Sequence, residues 1–315
     1  MSSIAQKPVL KPVYTKNIFN RIYKFRYFYL LITPMVVYMA VFKIAPIWGL
    51  LMAFQEYSPF KGFWASEWVG LKHFSVLFQS VKFGLMMRNT IAINMLKLIF
   101  YFPVPILLSV MLNEVRSEKF KRFNQTIVYM PHFLSWVVIA SFTFFILSQD
   151  IGIINKIRVS AGMNPVSYLT NPNMFWGILI SQNLWKDAGW GTILFLAAMS
   201  GIDPTLYEAA VMDGAGRFKQ IWHITLPSIR GTIVTMLILR LGQLFSIGFE
   251  QILLMQNPLV YDISEVLDTY IYTQGIRNGK LSSAVAVGSF KSVINIFMVL
   301  GANKIVKWFG ESGIF

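Results

Sequence analysis

The stretch 200–227, SGIDPTLYEAAVMDGAGRFKQIWHITLP, decides how the chain is read. Asp203 before Pro204 is a strong helix start. The carboxylate can cap free amides, and proline sits in the first turn, where its missing N–H is not needed. The helix is expected from Pro204 to about Asp213 and to end at Gly214, the residue type best able to turn left-handed there. A second helix starts near Arg217 and leads toward Pro227, with Phe218, Ile221, Trp222 and Ile224 on its apolar face. Long apolar runs flank this compact helix–turn–helix on both sides, so it reads as a loop between two membrane spans.

Composition agrees with that setting. The 315 residues are 55% hydrophobic and 16% aromatic but only 13% charged, with a mean hydropathy of +0.55. Soluble domains carry about 25% charge, so this chain cannot cover a soluble surface in the usual way. Abundant aromatic and aliphatic residues also exclude disorder. The net charge of +14 would point to nucleic acid in a soluble protein. Here it is the Lys/Arg excess of cytoplasmic loops, and no nucleic-acid partner is expected. There are no cysteines, and the three histidines (His73, His132, His223) are far apart, so no metal site is expected.

A spanning helix needs about 20 mostly apolar residues. Six windows qualify, near 27–54, 88–112, 126–147, 173–199, 228–254 and 282–303. The first contains Pro34, Lys43 and Pro46, which predict a kink or tilt, and no small-residue cleavage site closes it, so it reads as an uncleaved span. Residues 1–26 hold Lys7, Lys11, Lys16, Arg21, Lys24 and Arg26 without an acid, which puts the N-terminus in the cytoplasm. Arg116, Lys119, Lys121, Arg122, Arg217, Lys219, Lys304 and Lys307 then fall inside, against Lys61, Lys72, Lys82, Lys156, Arg158, Arg277 and Lys280 outside. This two-to-one excess supports six spans with both termini inside. The organisation expected is a basic cytoplasmic segment 1–26, a six-span domain 27–310 and a cytoplasmic tail 311–315. The outside segments 55–87 and 255–281 are candidate docking surfaces, the second with a helix near 264–274 that begins after Ser264.

Within 200–227, Glu208-Ala209-Ala210, three residues, Gly214, nine residues, Ile224, Thr225, Leu226 and Pro227 follow the spacing E-A-A-x3-G-x9-I-x-L-P. This resembles the EAA-loop signature of ABC importer permeases. The segments WVGLKHF, LNEVRSEKFKRFNQTIVYMPHFLSWVVIA, LWKDAGWGTILFLAAMSGIDP and FGESGIF are similar to the oligosaccharide and uronate-polymer (alginate) branch of the carbohydrate permeases. The resemblance implies an all-α membrane protein with the type I importer fold. It also implies that Glu208, Ala209, Ala210, Asp213, Gly214, Ile224, Leu226 and Pro227 form a coupling surface for a separate ATP-binding subunit. ATP and magnesium would be bound there, and no cofactor is expected in this chain. A second homologous permease (a heterodimer by resemblance), two ATPases, an external solute-binding protein, an oligosaccharide and membrane lipid are the implied partners. The chain itself has no G-x4-G-K-[ST] phosphate loop, no H-E-x-x-H and no G-x-S-x-G, so it is not expected to be an enzyme. An ATP-independent secondary transporter would call for an internal repeat and ion-coupling acids within the spans; no repeat is seen between the halves, and the spans carry few acids.

The spans hold polar residues that must face protein or water. Arg88 and Arg230 lie near span ends and can snorkel. Lys43, Lys97, Lys186, Asp187, Arg240, Glu250 and Lys291 are deeper. The stretch 183–190, NLWKDAGW, is the leading pathway candidate through Asn183, Trp185, Lys186, Asp187 and Trp190, because sugars are bound by aromatic faces with polar groups. Gln182, Arg240, Gln243, Glu250 and Lys291 supplement it. Seven embedded basic residues against two acidic ones favour an acidic oligosaccharide substrate. Carbonyl ligation or pairing across the permease dimer is the structural alternative, and a neutral oligosaccharide stays open with it.

Overall fold

The structure is a computed structural model that describes residues 22–245, 248–308 and 310. The basic residues Lys7, Lys11, Lys16 and Arg21 and the tail 311–315 lie outside the described residues. The chain divides into two units, Met1–Leu51 and Met52–Phe315.

The first unit is dominated by α1, Arg26–Phe54, which runs on past Pro34, becomes a 3-10 helix from Ala45 and ends three residues into the second unit. Its side chains are apolar on all sides, and none from Arg26 to Met39 is buried, as expected of a helix bathed in lipid.

The second unit opens with a short hairpin, β1 (Gln55–Glu56) against β2 (Glu67–Trp68), in register Gln55 to Trp68. It is the one departure from an all-α reading among the described residues. Next come α2 (Lys72–Gln79), α3 (Val81–Tyr101) and α4 (Pro103–Asn113). Lys72 donates to Glu56 at 2.7 Å, and this contact holds the Glu56 carboxyl below its ordinary range. The helix expected from 88 begins at Val81, because Lys82 and Arg88 lower the hydropathy without breaking the helix. The Arg88 guanidinium, near the start of α3, donates to the Asp262 carbonyl at 2.9 Å.

The segment expected as one span over 126–147 is instead two helices. α5 (Glu118–Tyr129) continues as a 3-10 turn to Phe133, and α6 (Trp136–Leu147) leaves it at 97°. Pro131 lacks an N–H, Leu134 is extended, and Ser135 restarts the helix by accepting from Val138 N. After α7 (Ile153–Ser160) comes α8, Pro172–Ser200. Its 29 residues reach about 43 Å, ample for a bilayer core of about 30 Å.

The chain then forms α9 (Pro204–Met212), α10 (Arg217–Ser228), α11 (Arg230–Gly242), α12 (Phe249–Met255), α13 (Tyr261–Ser264), α14 (Leu267–Tyr272) and α15 (Leu281–Trp308). The expected span 228–254 is thus interrupted after Gly242. The expected helix after Ser264 begins instead at Leu267, because Ser264 closes α13. Thr269 Oγ1 accepts from Val266 N at 3.0 Å and sets the later start. Among the described residues three helices are long and apolar enough to cross a membrane, or five if each bent pair counts as one span. α8 has the length but carries Gln182, Asn183, Lys186 and Asp187 in its middle.

The core of this unit forms around α8. Ile93 of α3, Phe175 and Leu179 of α8, Ile252 and Met255 of α12 and Val266 make one cluster. Phe195 and Met199 of α8 pack with Ile229 in another. Two glycines of α8 allow close crossings. A Cβ at Gly189 would meet Val128 O of α5 at 2.0 Å, and one at Gly191 would meet Pro105 of α4 at 2.8 Å.

Candidate functional site

Two regions gather the residues singled out by sequence. The first surrounds the middle of α8. Lys186 Nζ donates to the carbonyl of His132 at 2.8 Å and to that of Leu134, the oxygens freed where α5 breaks from α6. Asp187 accepts from Asn183 Nδ2 at 2.9 Å through one oxygen, and its other oxygen lies 2.9 Å from His132 Nδ1. The His132 ring stacks on Trp190 at 4.5 Å and 6°. The bend is therefore held by α8, and irregular backbone at membrane depth requires such satisfaction. For Lys186 the carbonyl ligation weighed from the sequence is what the geometry contains.

On another side of α8 a narrow cleft opens between α3, α8 and α11. It is lined by Asn94, Lys97 and Tyr101 of α3, Asn183 of α8, and Arg240 of α11 with Leu244 beyond it. Asn94, Lys97 and Tyr101 share one helical face by their spacing of three and four. Arg240 Nη2 donates to Tyr101 OH at 3.1 Å and lies 4.8 Å from that ring. Lys97 Nζ donates to Gln251 Oε1 at 2.8 Å. Gln251 Nε2 in turn donates to Leu179 O at 2.7 Å and Gln182 Oε1 at 2.9 Å, and Gln182 reaches Thr143 at 2.6 Å. No carboxylate among the described residues lies within ion-pair distance of Lys97 or Arg240.

Of the pathway residues expected from sequence, the cleft brings together Asn183 and Arg240. Trp185 lies on an apolar groove with Ile139, Phe142 and Ile178. Gln243 and Glu250 are exposed and outside the cleft lining. Lys291 is ion-paired to Asp268 of α14. From sequence alone Lys97 reads only as an embedded charge. Asn94, Tyr101 and His132 had no assigned role, although the i, i+3, i+7 spacing on α3 was the available signal.

The second region is the α9–α10 hairpin. Asp203 caps α9 by accepting from Thr205 N at 2.9 Å, a contact that holds its carboxyl below the ordinary range. Gly214 has φ +74°, and the helix end closes with Ala215 N on Ala210 O (2.8 Å) and Gly214 N on Val211 O (3.0 Å). In α10 a π turn, Ile221–Thr225, precedes Pro227. Tyr207 OH and Thr225 Oγ1, 2.9 Å apart, tie the two helices, and Arg217 meets Glu114 at 3.7 Å. Glu208, Ala209, Asp213, Gly214 and Pro227 are exposed, whereas Ala210, Ile224 and Leu226 are half-buried. Met212, Phe218 and Trp222 also stand exposed, an apolar surface of the kind that marks an interaction site.

Residues 101–310 match the family of binding-protein-dependent transport system inner membrane components. The chain belongs to that family. The permease is 47% identical over 290 residues to the protein LplB of Bacillus subtilis (strain 168), covering 92% of this chain and 91% of that one. It is 45% identical over 307 residues to the polygalacturonan/rhamnogalacturonan transport system permease protein YteP of the same organism, covering 98% and 96%. A crystal structure of a bacterial alginate ABC transporter, in complex with an alginate pentasaccharide-bound periplasmic protein, contains a chain 38% identical to it. That chain superposes with a TM-score of 0.86, covering 94% of the permease and 99% of its own length. The permease therefore has the type I importer fold and is a multi-pass inner-membrane transport component, not an enzyme.

Proposed function

We propose that this permease forms half of the translocation pathway of an ATP-driven ABC importer for acidic oligosaccharides, uronate polymers among them. The observation that carries the acidic reading is the cleft lined by both Lys97 and Arg240, where no carboxylate among the described residues lies within ion-pair distance of either. Buried cations are costly unless an anion offsets them, and a transported uronate would supply one. The alginate and polygalacturonan descriptions of the relatives point the same way. Asn183 lines the same cleft, and the exposed side of Trp190 extends the pathway beyond it.

The chain crosses the bilayer six times in this reading, through α1, α3–α4, the bent pair α5–α6, α8, α11–α12 and α15. Residues 1–26 and 311–315 flank the 27–310 domain on the cytoplasmic side. The α9–α10 hairpin docks on a separate ATPase that holds ATP and magnesium. Glu208 offers a carboxylate, Ala209 and Ala210 permit close approach, and Asp213 and Gly214 form the turn. Ile224, Leu226 and Pro227 join the hairpin to α11. A second permease completes the pore, a second ATPase completes the motor, and an external binding protein delivers substrate to segments 55–87 and 255–281.

The test is ATP hydrolysis by the assembled complex with its binding protein, comparing uronate oligomers with neutral ones of equal length. Stimulation by the uronates is expected. Stimulation by neutral oligomers alone would replace the acidic substrate with a neutral one.

A further inference from the structure

Lys97 is 3% exposed, yet among the described residues only one of the three donors of its ammonium has a hydrogen-bond partner, the neutral Gln251 Oε1. Gln251 cannot flip to offer anything else, because its amide nitrogen is fixed on Leu179 O and Gln182 Oε1. Gly248 leaves room for the ammonium, since a Cβ there would come within 2.5 Å of Lys97 Nζ. Arg240 reaches the same cleft, and among the described residues its hydrogen bond is to Tyr101. Beside these cations, Asn94 is also 3% exposed; its nitrogen donates to Thr90 O at 2.8 Å, while its Oδ1 has no partner among the described residues. A buried acceptor left open costs as much as a lost hydrogen bond. The cleft thus presents spare cationic donors and one spare acceptor, a demand met together by a group bearing a carboxylate and a neighbouring hydroxyl.

We propose that this cleft is a carboxylate subsite for one uronate unit of the substrate, with Lys97 and Arg240 reading the charge and Asn94 Oδ1 accepting from an adjacent sugar hydroxyl. The inference rests on the acidic-oligosaccharide reading and goes further by naming the residues that make the distinction. Specificity is then set where the chain threads between α3, α8 and α11, in addition to any selection by the binding protein.

The test uses the complete importer in proteoliposomes, comparing uptake of a uronate oligomer with its carboxyl-reduced, neutral counterpart of equal length. Two variants are read against the wild type. Lys97→Met removes one cation. Asn94→Asp is close to isosteric and places a tethered carboxylate beside both cations, filling the subsite from within. Each is expected to lower the uronate-to-neutral ratio of uptake efficiency by about tenfold or more, the weight of a lost charge-assisted hydrogen bond. If Lys97→Met does not assemble, Asn94→Asp decides alone. A wild type indifferent to charge overturns the acidic-substrate reading and the subsite with it. A wild type that prefers uronate, with Asn94→Asp keeping that preference, overturns the subsite alone.

Discussion

Gly214→Val in the complete importer is expected to leave the spans folded while ATP hydrolysis no longer drives uptake. The residue sits at φ +74° with nothing within 4 Å of where a Cβ would be. The cost is therefore backbone strain rather than a clash, about 1–2 kcal/mol for an L-residue held left-handed. That lowers the population of the native turn by about 5–30-fold. The turn matters because Ala215 N and Gly214 N close the end of α9 through it, fixing α9 against α10. A docking element that loses its shape absorbs ATPase motion without passing it on. Glu208→Lys, at an exposed position of the same helix, should weaken ATPase association by reversing a charge at the proposed interface. Copurification of the ATPase and the ratio of ATP hydrolysed to substrate imported check both variants. Normal values for both would remove the hairpin from coupling.

Gly189→Ala should damage the fold itself. One added methyl would sit 2.0 Å from Val128 O and 2.5 Å from Val128 C, both backbone atoms, so α5 and α8 must separate. Overpacking of this kind costs about 1–3 kcal/mol, and more where backbone must move. Separation would also stretch the bonds from Lys186 to the carbonyls at the α5–α6 bend, one turn away. Purified complex should show a lower yield and a lower Tm. Gly177→Ala on the same helix faces open space and is the control, expected to be neutral or stabilising by about 0.5–1 kcal/mol. Equal Tm values for the two variants would contradict the crossing.

The parts of this molecule set by neighbours in sequence were legible without a structure. Asp203, Pro204 and Gly214 define α9 because caps and turn glycines act within a few residues. The long apolar runs at 26–54 and 281–308 are visible because hydropathy is additive along a helix. What failed to show depends on long-range contact. A window averaged over 126–147 is apolar on both sides of Pro131 and hides a 97° bend that Lys186 stabilises from α8. Ser264 has the chemistry of a cap, but Thr269 supplies the bond that sets where α14 starts. Lys97 was visible as a charge, whereas its partner Gln251 lies 154 residues away. The cleft exists only once α3, α8 and α11 are packed.

Uptake by purified components in liposomes tests the central claim most directly. The permease is reconstituted with its partner permease, with or without the ATPase subunits, and loaded with ATP; binding protein and labelled uronate oligomer are added outside. Accumulation is expected only when the ATPases and ATP are both present. Equal uptake by the permease without ATPase subunits would contradict an ATP-driven importer and return the chain to the class of self-sufficient transporters.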